Sequence, residues 1–463
     1  MSSVTHRLAF FRQSGWLLIA TTLGGVFMWL VHIPAARMPE SEYGVFVALL
    51  QVLNLMLIPA IGLQTIFAQQ TAGAVTSESR QQLAWTVRRL LLGVAGLWAV
   101  MALVLFGFRH DILLSLKIVN PFAFWATVGI GLSMLWWPIL QGVLQGRQNF
   151  LWLGWLQVVN GAVRFGGVVV IVWWFGGWAA GAMTAALLGF WGTVGVAAWH
   201  TRGVWRGAGA RIDWGGWLRR VVPLTLGLAA SQFMLAADQV VVQSTFDSGT
   251  GLYGAAGMIG RALVFFTGPL VAVMFPKVVA SAARSERTNV LAQALGATAL
   301  LGGLAAVACT VMPELPLRLI YREYFWVISP LVPWFVWCML PVTLATVLIN
   351  NLLARQRYAV VPWLLLIAVS YGIALWWRAQ AAQQTEAIQA LKMLRLMGET
   401  QPLYLGLANA IQGAVLFPAF ATVVRTLGFF SLLLLAVAAW FTWRPTPSPR
   451  AHRSPSAPIP EIR

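Results

Sequence analysis

The sequence predicts an all-α, polytopic membrane protein of about 12 (12–14) transmembrane helices, built from two parallel repeats. Hydrophobic residues make up 59% of the 463 residues and charged residues only 10%, which is more apolar surface than a soluble domain can bury. Apolar stretches long enough to cross a hydrocarbon core recur along the chain. Two motifs of the first half also return, in the same order, in the second half.

Twelve apolar stretches are predicted to be membrane spans, each of a length that crosses a core of about 30 Å. The amino-terminal stretch follows a basic start, is longer than a signal-peptide core and precedes no small-residue cleavage pattern, so it is predicted to be a retained span. A further stretch, 427–443, is short and is either a thirteenth span or an interfacial helix. The twelve lie near residues 14–33, 43–67, 86–107, 121–144, 151–175, 178–199, 217–242, 252–276, 290–311, 330–353, 358–377 and 403–424.

The distribution of basic residues predicts the orientation of the spans. The chain carries a net charge of +18, and this surplus lies mostly in short loops, where it sets topology and meets anionic lipid head groups. We therefore predict no nucleic-acid partner. With the amino terminus in the cytoplasm, the inner loops hold sixteen Lys and Arg residues and the outer loops eight. The positive-inside rule thus favours a cytoplasmic amino terminus, although a thirteenth span would place the basic tail outside.

Internal repeats predict two related halves. The segment "EYGVFVALLQVLNLMLIP" is matched by "LYGAAGMIGRALVFFTGP", in which Tyr43 and Gly44 recur as Tyr253 and Gly254 at an offset of 210 residues. The segment "LQGRQNF" (144–150) is matched by "LLARQRY" (352–358) at an offset of 208. Because the offset holds six spans, an even number, both halves enter the membrane from the same side as parallel repeats.

The repeats divide the chain into lobes and connecting segments. Residues 1–199 are predicted to form an N-terminal six-helix lobe and residues 217–443 a C-terminal lobe. Residues 200–216, rich in Gly and Arg, are predicted to be a cytoplasmic linker. Within the second lobe, 378–402 is predicted to be an amphipathic helix on the membrane surface. The tail 444–463 is basic and rich in proline, which predicts disorder.

Three charged residues lie more than three residues inside the ends of predicted spans, where a charge is costly and indicates function or pairing. At a rise of 1.5 Å per residue, Arg164 lies about 20 Å from the inner end of its span and Arg261 about 14 Å from the outer end of its own, near mid-membrane. Asp238 lies about 6 Å from the outer end of its span. A structural ion pair between Asp238 and Arg261 and a functional role are both open. No acidic residue of the first half lies in a span, which favours a functional role for Arg164.

Uncharged polar residues within the predicted spans either line a cavity or hydrogen-bond between helices. We include Gln51, Asn54 and Asn160 with the charged residues as candidate cavity residues. No acidic pair, metal-ligand cluster, Walker loop or nucleophile motif is present in the sequence, so we assign no catalytic residue, metal or cofactor. The protein is therefore not expected to be an enzyme.

Three segments give the chain a resemblance to a known family. They are "MPESEYGVF" after the first span, "LQGRQNF" before the fifth, and "AADQVVVQSTFDSGTGLYGAAGMI" from the seventh into the eighth. On these residues the sequence resembles the polysaccharide transporters, including Wzx-type lipid-linked oligosaccharide flippases of the multidrug, oligosaccharidyl-lipid and polysaccharide exporter superfamily. The resemblance covers roughly residues 10 to 375.

The resemblance implies two pseudo-symmetric six-helix lobes around a central cavity, with alternating access by rocking of the lobes. It implies a flippase of the bacterial inner membrane that acts in polysaccharide or O-antigen lipopolysaccharide synthesis. The implied substrate is an undecaprenyl-pyrophosphate-linked glycan, and the implied partners are membrane lipids and glycan polymerase or glycosyltransferase proteins. On this hypothesis Arg164 and Arg261 bind the anionic head group through charge-assisted hydrogen bonds, and Asp238 tunes or locks Arg261.

Two other functions are weighed against this one. A cation-coupled multidrug antiporter of the same superfamily needs a carboxylate inside a lobe, and only Asp238 meets that need. A membrane glycan polymerase or ligase typically needs a large external loop, whereas the predicted external loops are short apart from 378–402.

Overall fold

The computed structural model describes residues 16–17, 19–207, 214–264, 290–396 and 416–444. These residues form helices joined by short turns, without a strand in the described ranges. Nine of the described helices are long and apolar enough to cross a membrane by length and composition. The predicted all-α class is therefore confirmed.

The described part of the first lobe contains eight helices, because one predicted span is split and a short helix lies between two others. Its long spanning helices are α4, α6, α7 and α8. The helices are α1 (Ile19–Ala35, with a turn at Val31), α2 (Glu40–Met56), α3 (Ile58–Gly73), α4 (Ser77–Gly107), α5 (Arg109–Ser115), α6 (Pro121–Gly146), α7 (Phe150–Trp173) and α8 (Trp178–Trp205).

The second lobe repeats this order. Helix α13 is preceded by the 3₁₀ segment Glu323–Leu331, and α14 by the 3₁₀ turn Tyr358–Val360. The helices are α9 (Trp214–Thr245), α10 (residues 250–264), α11 (Val290–Val311), α12 (Leu315–Ile320), α13 (Val332–Ala354), α14 (Val361–Leu396) and α15 (Pro418–Trp443).

The contacts between helices show that the two lobes are related. In the first lobe, α8 packs against α6 and α7; in the second lobe, α15 packs against α13 and α14 in the same way. Likewise, α4 contacts α6 and α11 contacts α13. The duplicated motifs therefore belong to duplicated packing units.

The repeated "RQ" motif has a structural cause at a helix end. Gln148, after α6, and Gln356, after α13, both have φ = +56°. In each case the backbone N–H of the Gln donates to the carbonyl three residues before it, and the next N–H donates to the carbonyl five residues back, as in a Schellman motif. The matched sequence thus encodes the same reversal at the same point of each lobe.

The second predicted span, 43–67, is interrupted at one residue. It consists of α2 and α3, which are separated by Leu57. Pro59 follows the break at the start of α3. Because proline has no amide N–H and its ring crowds the preceding turn, a helix tends to be interrupted at this point.

Three predicted boundaries also differ from the structure. Helix α8 continues to Trp205, so the first residues of the predicted linker 200–216 are helical. Helix α14 runs without interruption to Leu396, so most of the predicted insertion 378–402 extends a span and does not begin a new helix. Within the described residues, the end of the predicted span 403–424 and the whole of the stretch 427–443 lie on one helix, α15, which begins at Pro418. Proline is favoured at a helix start, and the apolar run continues past 424.

Several predictions fall on parts of the chain outside the described residues. They concern the start of the amino-terminal lobe, the middle of the linker and the carboxyl half of the eighth span. They also concern the beginning of the twelfth span and the tail. The corresponding ranges are 1–15, 208–213, 265–289, 397–415 and 445–463.

The two lobes meet along α9. This helix of the second lobe packs against α2 and α3 of the first lobe, and buried residues of both lobes share one continuous apolar core. The candidate site residues discussed below lie on or near this contact.

Candidate binding site between the lobes

The second lobe holds a buried ion pair. The Nη2 of Arg261 on α10 lies 2.6 Å from Oδ1 of Asp238 on α9, and the two side chains expose 3% and 0% of their surface. The Nε of Arg261 also donates to the backbone carbonyl of Leu235 at 2.7 Å. The Tyr253 hydroxyl donates to the second carboxylate oxygen of Asp238 at 2.8 Å. The ion-pair alternative considered from the sequence is therefore observed.

The first lobe holds a buried cation of a different kind. Arg164 on α7 is 4% exposed and forms no ion pair with any described carboxylate. Its Nη1 contacts Sδ of Met28 at 2.7 Å, and its guanidinium carbon lies 5.2 Å from the ring centroid of Phe190. Its Nε has no hydrogen-bond partner among the described residues. A thioether and a ring face compensate a full charge only weakly.

A set of hydrogen-bonded rings connects the two lobes. His32 Nδ1 and the Tyr43 hydroxyl are 2.9 Å apart, and the Tyr43 hydroxyl is 2.7 Å from that of Tyr321 in the second lobe. His32 also lies within the electrostatic range of both Arg164 and Arg261. The buried chain of polar groups therefore passes from one lobe to the other.

The repeat relates these ring contacts. Tyr43 and Tyr253 are the matched tyrosines of the duplicated motif, and both are fully buried. Each is hydrogen-bonded to a titratable residue of the helix that precedes it, His32 on α1 for Tyr43 and Asp238 on α9 for Tyr253. Burial raises the pKa of Tyr321, which lies outside the long spans, so its hydroxyl stays neutral.

Glycines make room for both arginines. A Cβ at Gly189 on α8 would lie 2.7 Å from Cγ of Arg164, and a Cβ at Gly257 on α10 would lie 2.4 Å from Nη1 of Arg261. Any larger side chain would displace the arginine or its helix. The Nη1 of Arg261 has no hydrogen-bond partner among the described residues, so each guanidinium has at least one nitrogen that donates to none of them.

The uncharged candidates fall into two places. Asn160 lies beside Arg164, since its side-chain oxygen and its carbonyl both approach the Cβ position of Gly189, at 3.0 and 3.2 Å. That side-chain oxygen lacks a hydrogen-bond partner in the described part of the chain. Gln51 and Asn54, on α2, are hydrogen-bonded to each other at 3.0 Å. Gln51 also contacts Sδ of Met258 in the second lobe at 3.8 Å.

Several residues of this site were not assigned a role from the sequence. His32 was visible only as a histidine at a span border, and the two tyrosines only as repeat markers. No local sequence pattern marks Tyr321, Gly189 or Gly257 as site residues. Their place in the site depends on which helices pack against each other. Only the repeat points to His32, because each repeated tyrosine pairs with a titratable residue.

Polar contacts close the seam between the lobes at the end that is predicted to be external. Lys117, between α5 and α6, lies 3.3 Å from a carboxylate oxygen of Asp247 and donates to the carbonyl of Phe246. The side-chain nitrogen of Gln243 donates to the carbonyl of Leu116 at 3.1 Å. In this conformation Arg164 and Arg261 are therefore enclosed by protein and both lobes are in contact.

The comparisons with known proteins show similarity in structure. No protein-family model and no curated protein matches the sequence. Solved structures share the fold over nearly the whole chain. The lipid II flippase MurJ in an inward closed conformation superposes with a TM-score of 0.65 at 12% identity, over 91% of this chain and 87% of that one.

Two other solved structures are similar at comparable levels. A transporter of the MOP superfamily from Pyrococcus furiosus, described as having a binding pocket of reverse polarity, gives a TM-score of 0.63 at 11% identity over 94% of both chains. An inward-facing multidrug resistance transporter of the MATE family gives 0.58 at 11% identity, over 91% and 95%. With its apolar helices, this chain is a multi-pass membrane protein that has the two-lobed fold of MOP superfamily transporters.

Proposed function

We propose that the protein is a flippase that moves a lipid-linked oligosaccharide or polysaccharide precursor across the bacterial inner membrane by alternating access. The pyrophosphate of an undecaprenyl-linked glycan is the chemical group that the site would recognise. The proposal takes the amino terminus as cytoplasmic and assigns no chemical reaction to the protein.

One observation carries the proposal, namely that Arg164 is buried without a counter-ion among the described residues. An uncompensated charge in an apolar interior is expensive, and such a group in a membrane protein commonly marks a substrate path. A cation with an unfilled donor is suited to a phosphate, which accepts several charge-assisted hydrogen bonds. An anionic head group would supply what the first lobe lacks.

The two lobes suggest how the cation becomes accessible. The hydrogen bond between Tyr43 and Tyr321 and the one that Gln243 donates to Leu116 join the lobes at one end. Rocking of the lobes would break these contacts and expose the polar groups between them. Arg164 would then exchange Met28 for the phosphate, and the lipid tail would stay in the bilayer while the glycan passed through the opened seam.

A cation-coupled drug antiporter is the second candidate, because Asp238 is a fully buried carboxylate in one lobe. Its two oxygens already accept hydrogen bonds from Arg261 and Tyr253. A coupling ion would have to displace the guanidinium, which is costly in a buried pair. Asp238 therefore fits a structural role better than ion binding.

Reconstitution of the purified protein in liposomes would test the proposed cargo. The assay would compare a fluorescent oligosaccharide on an isoprenoid pyrophosphate, the same oligosaccharide on a neutral lipid, and a cationic dye under a sodium or pH gradient. We expect movement of the pyrophosphate-linked glycan, at a rate at least about ten times that of the neutral lipid, since one charge-assisted contact is worth a factor of this size.

Two results would contradict the proposal. Gradient-driven movement of the dye without movement of the glycan would favour the antiporter. Formation of longer glycans from the labelled substrate would favour a polymerase or ligase.

A further inference from the structure

A groove crosses the seam between the lobes at the predicted external end. It consists of two adjoining cavities of about 270 and 460 Å³, and Ala36, Arg37 and Arg322 line both. Arg37 follows α1 in the first lobe, whereas Arg322 lies between α12 and α13 in the second. The first cavity is also lined by Arg318. We call this continuous space the seam groove.

The seam groove has an excess of positive charge. Arg37 and Arg322 are exposed and have no carboxylate partner among the described residues. Arg318 is paired with Glu314. Glu40 is the acidic residue that lines the second cavity, and one of its oxygens accepts a hydrogen bond from the backbone N–H of Gly251. Two guanidinium groups, one from each lobe, therefore remain available to an anion.

Aromatic side chains fix one of these cations and extend the walls of the groove. The guanidinium carbon of Arg37 lies 3.6 Å from the ring centroid of Trp173. Trp178 and Tyr324 line the second cavity. A stacked guanidinium keeps its edge free for hydrogen bonds, so Arg37 is held in a position to bind an anion.

We propose that the seam groove binds a phosphate group, held between Arg37 of the first lobe and Arg322 of the second. Planar guanidinium groups match phosphate oxygens in paired hydrogen bonds. The phosphate comes from an anionic lipid head group or from a soluble or cargo phosphate, which share this chemistry. The site is distinct from Arg164 and Arg261, which are enclosed in this conformation.

Because of the position of the groove, a bound anion would affect the conformation of the protein. Because its two arginines belong to different lobes, a phosphate between them would hold the lobes together at this end. Binding would therefore stabilise the conformation described here, by the linkage between ligand binding and the state that binds it. The proposal does not depend on which cargo the protein transports.

The test is a titration of inorganic pyrophosphate against the full-length protein in nanodiscs of phosphatidylcholine, read by calorimetry. The variants are Arg37→Gln and Arg322→Gln. The matched control is Arg109→Gln, because Arg109 is also exposed at the predicted external end and also lies over an aromatic ring, that of Phe106. It does not line either cavity.

We expect saturable binding to the native protein and to the Arg109 variant, and an affinity lower by about ten-fold or more in each groove variant, the size expected for loss of one charge-assisted contact. Equal affinity in all four proteins, or no saturable binding to the native protein, would overturn the proposal.

Melting temperatures without pyrophosphate show whether each variant is folded. If both groove variants are unfolded, Arg37→Lys and Arg322→Lys replace them: weakened binding through loss of the paired hydrogen bonds supports the site, and unchanged binding overturns it.

A second arm identifies the source of the phosphate. Nanodiscs containing phosphatidylglycerol should weaken the binding of pyrophosphate to the native protein if a lipid head group occupies the groove. Unchanged binding in these nanodiscs assigns the site to a soluble or cargo phosphate, and both results retain the phosphate assignment. Failure of glycan movement in liposomes with intact pyrophosphate binding would refute the proposed function alone, and the reverse result would refute the groove alone.

Discussion

Each lobe buries an arginine, and the two arginines differ in how their charge is balanced. In the second lobe, Arg261 is neutralised by Asp238, and that carboxylate also accepts a hydrogen bond from Tyr253. In the first lobe, Arg164 contacts a thioether and an aromatic ring. The packing units are duplicated, yet the charge balance is not.

This difference in charge balance predicts different responses to substitution. A buried ion pair resists disruption, because removing one partner leaves the other without its counter-charge. A buried cation without a counter-ion costs stability in the isolated protein, and the proposed function supplies Arg164 with an anionic ligand. The following predictions test the contrast, in order of decreasing expected effect.

The largest effect is expected for the Asp238→Asn substitution. It would leave Arg261 charged, buried and unneutralised, and should lower the free energy of unfolding by about 3–5 kcal/mol. The double variant Asp238→Asn with Arg261→Gln should recover most of this loss. Reversible denaturant unfolding in detergent micelles measures both. The contrast fails if Asp238→Asn costs less than about 1 kcal/mol, the range of exposed pairs.

The matched tyrosines should differ in their contributions. Tyr253→Phe removes a hydrogen bond to a carboxylate and should cost about 1.5–3 kcal/mol, whereas Tyr43→Phe removes neutral hydrogen bonds to His32 and Tyr321 and should cost about 0.5–1.5 kcal/mol. The same unfolding assay compares the two variants. A larger loss for Tyr43→Phe would show that the contact between the lobes dominates over the ion pair.

The space around Arg261 should be sensitive to a single methyl group. Gly257→Ala would bring a Cβ within 2.4 Å of Nη1 and should destabilise the fold by about 1–3 kcal/mol, as overpacked positions do. Gly192→Ala on α8 is the control, because a Cβ there meets nothing within 4 Å. That substitution should be neutral or stabilising by up to about 1 kcal/mol, from helix propensity. Equal effects of the two substitutions would mean that Arg261 moves freely.

The smallest effect is expected at the seam. Asp247 is 88% exposed in its pair with Lys117, so Asp247→Asn should change the free energy of unfolding by less than about 1 kcal/mol. Lys117→Met should cost more, because Lys117 also donates to the carbonyl of Phe246. Unfolding at low and high salt would measure both substitutions. A large, salt-insensitive effect of Asp247→Asn would contradict the assignment of a screened surface pair.

The fold could be predicted from the sequence because each of its parts corresponds to a local sequence pattern. Long apolar runs predict spans, and the duplicated tyrosine and "RQ" motifs predict the repeat, since they encode a buried ring and a helix end. The helix boundaries after residue 377 could not be predicted from the sequence. The composition of 378–402 favours helix equally as a separate element or as a continuation of α14, and no proline or glycine near 377 ends the span.

The site was accessible only in part, for a physical reason. A charge in an apolar run is a local signal, so Arg164, Asp238 and Arg261 could be identified and the pairing of two of them considered. The contacts of Tyr43 with Tyr321 join residues 278 positions apart, and no local pattern encodes such a neighbour. The same holds for the seam groove, which exists only where loops of two lobes meet.

The most direct test of the central idea is the rate at which Arg164→Gln protein moves a pyrophosphate-linked glycan in liposomes, relative to native protein at equal reconstituted amounts. Because Arg164 has no counter-ion among the described residues, its removal should leave the unfolding midpoint unchanged or raised, and the rate should fall by about ten-fold or more as the phosphate loses its contact. A native rate in a folded Arg164→Gln protein would contradict the account.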